Sequence, residues 1–171
     1  MEPGLAGEIA EINVTYSMPE RNAVGLHPFS DWDEVDWAGS RPKATPETRH
    51  FWEGCREGRL LLQRCRETGR AYFPPRPFSP YTGSRDVEVF EAEGTGFLYS
   101  YVIHQRPVPG FVPPYAIAVV ELTEGPRLMT NIVGCPQTPE ALVLDMAVEV
   151  VFRRISEEIT LPLFRPQEGA R

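Results

Sequence analysis

Two tetrapeptides set the chemistry this chain can offer: Cys65-Arg66-Glu67-Thr68 and Ser79-Pro80-Tyr81-Thr82. Their spacing is that of the paired knuckles of a zinc ribbon, where two Cys-x2-Cys turns hold tetrahedral zinc through four deprotonated thiols. Here three of the four ligand positions carry hydroxyls, and only Cys65 offers a thiolate. Neutral hydroxyls are poor zinc ligands, so the expectation is a ribbon that keeps its shape without zinc. No other metal site is expected, because His50, Cys55 and Cys65 share no ligand spacing. Arg64, Arg66, Arg70 and Arg76 stand around the same knuckles. A guanidinium fork binds phosphate oxygens bidentately, which makes these four candidates for a phosphate-bearing ligand. The alternative is a solvent-facing hairpin that simply carries arginine.

Elsewhere the chain offers little acid–base or nucleophilic logic. His104 falls in a strand with no carboxylate spaced to orient it, so a structural or pocket-lining role is expected. His27 and His50 are isolated. Cys135, before Pro136, lies in a turn with nothing to lower its pKa. There is no Walker-type loop, nucleophile elbow or dinucleotide fingerprint. No catalytic residue is assigned.

The elements that must position these groups follow from pattern. Thr45-Pro46-Glu47 reads as cap, first position and first turn of a helix running to about Arg56, with Phe51, Trp52 and Cys55 on its apolar face and Gly58 as its stop. Arg59 to Arg64 predicts a strand into the first knuckle. From Asp86 onward the chain reads as β: Val87 to Phe90, Phe97 to His104, Tyr115 to Leu122 as a strand buried on both sides, Arg127 to Val133, Val148 to Arg154 and Ile159 to Phe164. Gln105 to Pro114 carries four prolines and must be a loop. Short strands with one long loop predict a small closed barrel of OB type. The fold class expected is therefore mainly β: an N-terminal arm (1–44), a short helix with a degenerate ribbon (45–85), an OB barrel (86–166) and a tail (167–171).

Charge is segmental within a total of −7. Residues 1–36 carry a net −7, residues 56–85 a net +5 and residues 86–171 a net −6. A basic patch this compact suits one small polyphosphate or an acidic partner surface, whereas nucleic-acid binding usually spreads basic charge more widely. In the acidic arm, Trp32 and Trp37 are costly to leave in water and are expected to dock on a partner or on the chain's own barrel. No segment approaches the ~20 apolar residues of a membrane span. The start of the chain lacks a signal-peptide core, and the three cysteines form no disulfide framework, which together predict a cytoplasmic protein.

The order of motifs resembles the DUF35 OB-fold family. Phe51 to Gly54 (FWEG), Phe73 to Arg76 (FPPR), Gly94 to Tyr101 (G-x-G-x-x-x-S-Y), His104, Pro109-Gly110-Phe111, Pro114-Tyr115 and Leu161 to Pro166 (LPLFRP) occur in sequence over about residues 45–166. The resemblance implies an accessory subunit of an acyl-CoA-processing complex, with acyl-CoA as ligand and a thiolase-like aldolase as partner. In such assemblies the partner carries out retro-aldol cleavage of a β-hydroxyacyl-CoA in steroid or lipid side-chain degradation, sometimes beside a hotdog-fold hydratase. It also implies four ribbon cysteines, from which this chain departs at Thr68, Ser79 and Thr82. On that basis Arg64, Arg66, Arg70 and Arg76 become candidates for the CoA phosphates, Arg76 foremost through its place in FPPR. Phe111, Tyr115 and His104 become candidates to line the acyl channel, or else to plug one end of the barrel. Trp32, Trp37, Phe73 and Phe111 are candidates for the partner interface. Two other readings stay open. Phe97, Tyr99 and Tyr101 alternate as a single-stranded nucleic-acid platform would, against the barrel's negative charge. A purely structural interaction module would bind its partner regardless of acyl-CoA.

Overall fold

The computed structural model describes residues 41–109 and 111–169, so Trp32 and Trp37 lie outside it. Helix α1 (Arg49–Arg56) begins about a turn later than the Thr45 cap predicts. The Thr45 N–H donates to Thr48 Oγ1 at 2.9 Å, and the Thr48 N–H donates to Thr45 O at 3.1 Å. The two threonines close a turn of their own, and Thr48 becomes the residue that precedes the helix. Phe51 and Cys55, one turn apart, are buried on the inward face, as the sequence pattern predicts. Gly58, at φ 73°, reverses the chain while the Arg59 N–H caps Gly54 O at 2.8 Å.

Three strands follow: β1 (Leu61–Cys65), β2 (Ala71–Tyr72) and β3 (Val87–Glu91), in sheet order β2-β1-β3. The sequence pattern places Val87 to Phe90 with the barrel. Instead β3 pairs antiparallel along the whole of β1, from Leu61 opposite Glu91 to Cys65 opposite Val87. Periodicity identifies a strand but not its neighbour, and here the neighbour is the ribbon.

The barrel comprises β4 (Thr95–His104), β5 (Tyr115–Leu122), β6 (Arg127–Ile132), β7 (Ala147–Arg154) and β8 (Thr160–Pro166). It closes in the order β4-β5-β6-β8-β7, with β7 returning to β4 and β8 running parallel to β6 at Ile132 and Phe164. That is the five-stranded OB arrangement. Closure forces β4 and β5 together at Gly96, where any Cβ would overlap Glu121 O and sit 3.0 Å from Leu122 Cα. Glycine is required there for the close approach.

One buried cluster spans all three parts. Phe51 and Cys55 of α1, Leu60 and Leu62 of the ribbon, and Leu98, Val120, Leu128, Val148 and Phe164 of the barrel belong to it. Burying a side chain such as Phe164 contributes ~1.5–3 kcal/mol, so the ribbon is anchored by the barrel's core in addition to its own turns. Strand β5 departs from its predicted burial on both sides. Its inward residues Ala116, Ala118, Val120 and Leu122 are buried, whereas outward Ile117, Val119 and Glu121 are only half-buried. Among the described residues, no helix is long and apolar enough to cross a membrane.

Candidate functional site

The two knuckles have the same backbone. In the first, the Cys65 N–H donates to Arg70 O at 3.0 Å and the Gly69 N–H to Cys65 O at 2.8 Å. In the second, the Ser79 N–H donates to Ser84 O at 2.8 Å and the Gly83 N–H to Ser79 O at 2.9 Å. Gly69 and Gly83 take the left-handed conformation this turn needs, at φ 68° and 72°. Ser79, buried, accepts the N–H groups of Tyr81 and Thr82 at 3.2 and 3.3 Å. Hydroxyl-to-amide bonds thus secure turns that a metal would otherwise pin.

The four ligand-position side chains converge. Cys65 Sγ lies 3.7 Å from Thr82 Oγ1 across the knuckles. Hydrogen bonds from Ser79 and then Thr68, with a smaller share from Thr82, bring the Cys65 thiol down to about 7 against a modest desolvation effect. Cys65 has no accessible surface. The hydroxyl hydrogen bonds nonetheless outweigh desolvation at this thiol. One thiolate among three neutral oxygens does not fit a structural zinc, which takes four nitrogen, sulfur or carboxylate donors. Among the described residues no group of three or more His, Cys, Asp or Glu gathers around a common point. The other thiols differ: burial pushes Cys55 up to about 12 and also raises Cys135.

Beside the knuckles, ribbon and barrel enclose a groove of about 650 Å³. Arg64, Arg70 and Arg76 line it from the ribbon and Arg127 from the β5–β6 hairpin, and Glu124 lines it as an acid. Tyr72, Tyr81 and Phe90 supply aromatic surface. The guanidinium of Arg70 lies 3.9 Å from the Tyr81 ring centroid, and that of Arg64 lies 4.4 Å from the Phe90 centroid. Arg64 is also paired with Glu88 at 2.7 Å, and Arg127 with Glu121 at 2.7 Å. Among the described residues Arg70 and Arg76 form no ion pair, leaving their charge available. The backbone N–H of Arg76 is fixed by buried Gln63 Oε1 at 2.7 Å. Tyr72 is only 4% exposed, and among the described residues its buried hydroxyl has no hydrogen-bond partner. Burial, then the nearby Cys65, hold that phenol above its usual pKa, so it remains a donor.

Arg66 is not in this group. It turns to Asp86 at 3.4 Å and Glu88 at 3.2 Å, outside the groove. Conversely, Arg127 and Tyr72 belong to the groove although the sequence pattern did not mark them. Arg127 reaches it only through barrel closure, and Tyr72 reads as one more strand aromatic.

His104, Tyr115 and Phe111 form a second cluster. The Tyr115 hydroxyl lies 3.1 Å from His104 Nδ1, which is also 3.0 Å from Arg106 O, and the Phe111 and Tyr115 rings stack at 4.7 Å. Tyr115 opens β5, whereas Arg127 follows its end. At ~3.3 Å per residue, the cluster sits roughly 23 Å along the barrel from the hairpin side of the groove. The structure therefore places the sequence-predicted ligand residues at opposite ends of β5. Phe73, a candidate for the partner interface, packs on Phe51 at 5.2 Å between centroids as well as lining the groove.

Phe97 and Tyr99 face outward, but Tyr101 does not join them. A register shift between Leu98 and Ser100 turns the chain, and Tyr101 packs against the core. The three-ring platform is thereby reduced to two rings.

The comparisons agree with this architecture. Two family models match: the ChsH2 rubredoxin-like zinc ribbon domain over residues 52–88 and the ChsH2 C-terminal OB-fold domain over residues 90–153. A probable enoyl-CoA hydratase alpha subunit from Thermomonospora curvata is 41% identical over 74% of this chain, which spans only 39% of that relative's length. A DUF35 domain-containing scaffold protein from Pyrococcus furiosus is 36% identical over 65% of this chain and 82% of its own. Among solved structures, a chain of the Ltp2-ChsH2(DUF35) aldolase is 41% identical with a TM-score of 0.66, covering 74% of this chain and 98% of that one. With ribbon, barrel and relatives in accord, the chain belongs to the DUF35 family of ribbon and OB-fold proteins.

Proposed function

We propose that this chain is a non-catalytic accessory subunit of an acyl-CoA-processing lyase, binding a thiolase-like aldolase and supplying part of its CoA channel. The observation that carries the reading is the groove. Among the described residues, two arginines without ion pairs and two more tied to acids line one groove beside the Tyr72 ring, and guanidinium groups suit phosphate oxygens. The known relatives support the partner class: one similar chain is a component of an aldolase, and others are called hydratase alpha subunits or scaffold proteins. The partner would break the Cα–Cβ bond of a β-hydroxyacyl-CoA. The hydroxyl carbon would leave as a carbonyl, and the electron pair would remain on the acyl-CoA fragment for protonation. A steroid or lipid side chain is the substrate class in view, the cytoplasm the compartment, and a hotdog-fold hydratase a further candidate partner. No step uses zinc, and in this reading the ribbon is held by its hydroxyls and the shared core.

Titration calorimetry with CoA and with adenosine 3′,5′-bisphosphate tests the reading. Binding of both, weakened at least tenfold by Arg76→Ala combined with Arg70→Ala, is the expected result. Equal affinity in wild type and variant, or no affinity even with the aldolase subunit present, sinks it.

A further inference from the structure

The outer face of β4, β5 and β6 exposes several apolar side chains among a few polar ones. Register places Ser100, Val119 and Met129 in one row across the three strands, and Val102, Ile117 and Asn131 in the next. Phe97 lies opposite Glu121, which lies opposite Arg127. Along this face Phe97 is 51% exposed, Tyr99 46%, Val102 55% and Met129 75%. An aromatic side chain presents ~150–250 Å² and Val or Met somewhat less, so these four together leave on the order of 400 Å² of mostly apolar surface open. That is within the range of functional patches on soluble proteins. It is about half of the ~800 Å² that each side of a standard protein interface covers. An occupant must therefore spread beyond the patch.

The patch has a direction in which to spread. Arg127 sits with its guanidinium 3.5 Å from the Tyr99 ring centroid and also lines the arginine groove, so patch and groove share a wall. The face carries almost no net charge, because Arg127 is bonded to Glu121 at 2.7 Å. A neutral apolar face matches an apolar protein surface and offers a nucleic-acid backbone no free cations.

We infer that this face is where the thiolase-like subunit docks, and that docking there closes the arginine groove, so that the phosphate site is completed at the boundary between the two subunits. The inference rests on the accessory-subunit reading above and adds to it the surface and the coupling. Its consequence is reciprocal: whatever factor the partner adds to ligand affinity, the ligand adds to partner affinity. The free chain would bind phosphate ligands weakly through an open groove, and the complex more tightly.

The test co-expresses the chain with the thiolase-like subunit encoded by the same genome and compares wild type with Met129→Glu and Val102→Lys. Both positions point into solvent in the free chain, so melting temperature and circular dichroism of the isolated variants should match wild type. The expected results are a stable wild-type heteromer on gel filtration and at least tenfold weaker association for each variant. Adenosine 3′,5′-bisphosphate should bind several-fold tighter to the wild-type mixture than to the isolated chain, and that gain should vanish with Met129→Glu. A heteromer that survives both substitutions overturns the inference. So does a wild-type homodimer that Met129→Glu dissolves, amide protection of β4 to β6 that deletion of residues 1–40 removes, or oligonucleotide binding that Met129→Glu abolishes. Those outcomes give the face to a second copy, to the chain's own arm or to nucleic acid. Arg76→Ala separates the two readings: it should weaken the probe while leaving the heteromer intact. If it leaves the probe unaffected, the phosphate reading fails, whereas gel filtration still decides the docking face.

Discussion

Cys65 Sγ and Thr82 Oγ1 stand 3.7 Å apart on opposite knuckles, at positions a zinc ribbon reserves for two thiolates. The backbone around them has kept the geometry of a metal-binding turn, including both left-handed glycines. Rebuilding the donor set should then rebuild the site. The triple variant Thr68→Cys, Ser79→Cys, Thr82→Cys is expected to bind one zinc per chain and to melt several degrees higher, with the gain abolished by a chelator. Wild type should melt at the same temperature with and without chelator. Metal analysis and thermal denaturation check both, and a triple variant that stays metal-free would show that the knuckles have drifted from ligand geometry.

The same hydroxyls make Cys65 a pH-sensitive element. Its folded-state pKa is about 7, against an ordinary value of 9.0. Between those limits the folded protein is deprotonated at this site while the unfolded chain still holds the proton, so stability rises with pH from about 7 to 9 and is lost as pH falls through 7. Cys65→Ser should remove that rise. Urea denaturation of both proteins from pH 6 to 9.5 measures it. Thiolate absorbance should report a single group titrating near neutrality, because burial keeps Cys55 and Cys135 protonated there.

Gly96 is a point at which the β4–β5 backbone leaves no room for a side chain. A methyl group there meets Glu121 O and the Leu122 backbone, which are held in the β4–β5 ladder and cannot yield as a flexible side chain would. Gly96→Ala should destabilise by ~1–3 kcal/mol through overpacking, lowering the melting temperature by several degrees. A melting temperature within a degree of wild type would mean that the ladder relaxes at this corner.

Much of this architecture was legible in the sequence, and the failures have physical causes. Turn residues and β-branched runs located the knuckles and the barrel strands because local backbone preference and burial agree in those segments. The helix starts later than the capping pattern predicts because Thr45 and Thr48 bond to each other, a local competition that such a pattern does not reveal. The pattern neither pairs strand β3 with the ribbon nor shows that one face of β5 is only half-buried, because alternation reports which residues are apolar and not what covers them. The groove was half legible: Arg70 and Arg76 are near the knuckles in sequence, whereas Arg127 arrives through closure of the barrel. Arg66 shows the reverse, adjacent to the knuckle in sequence yet committed to Asp86 and Glu88.

Tyr72 offers the sharpest separation of fold from function. Its ring is buried and its hydroxyl has no partner among the described residues, so there that oxygen contributes a desolvation cost of ~1–3 kcal/mol and no compensating bond. Tyr72→Phe should therefore leave stability unchanged or raise it by about 1 kcal/mol, the opposite of most core substitutions. If the hydroxyl donates to a phosphate in the groove, the same change removes a hydrogen bond to a charged group. Affinity for adenosine 3′,5′-bisphosphate should then fall by roughly tenfold or more. Denaturation and calorimetry on the one variant measure both effects. Unchanged affinity would remove Tyr72 from the ligand site, and a marked loss of stability would mean that the hydroxyl is satisfied within the free protein.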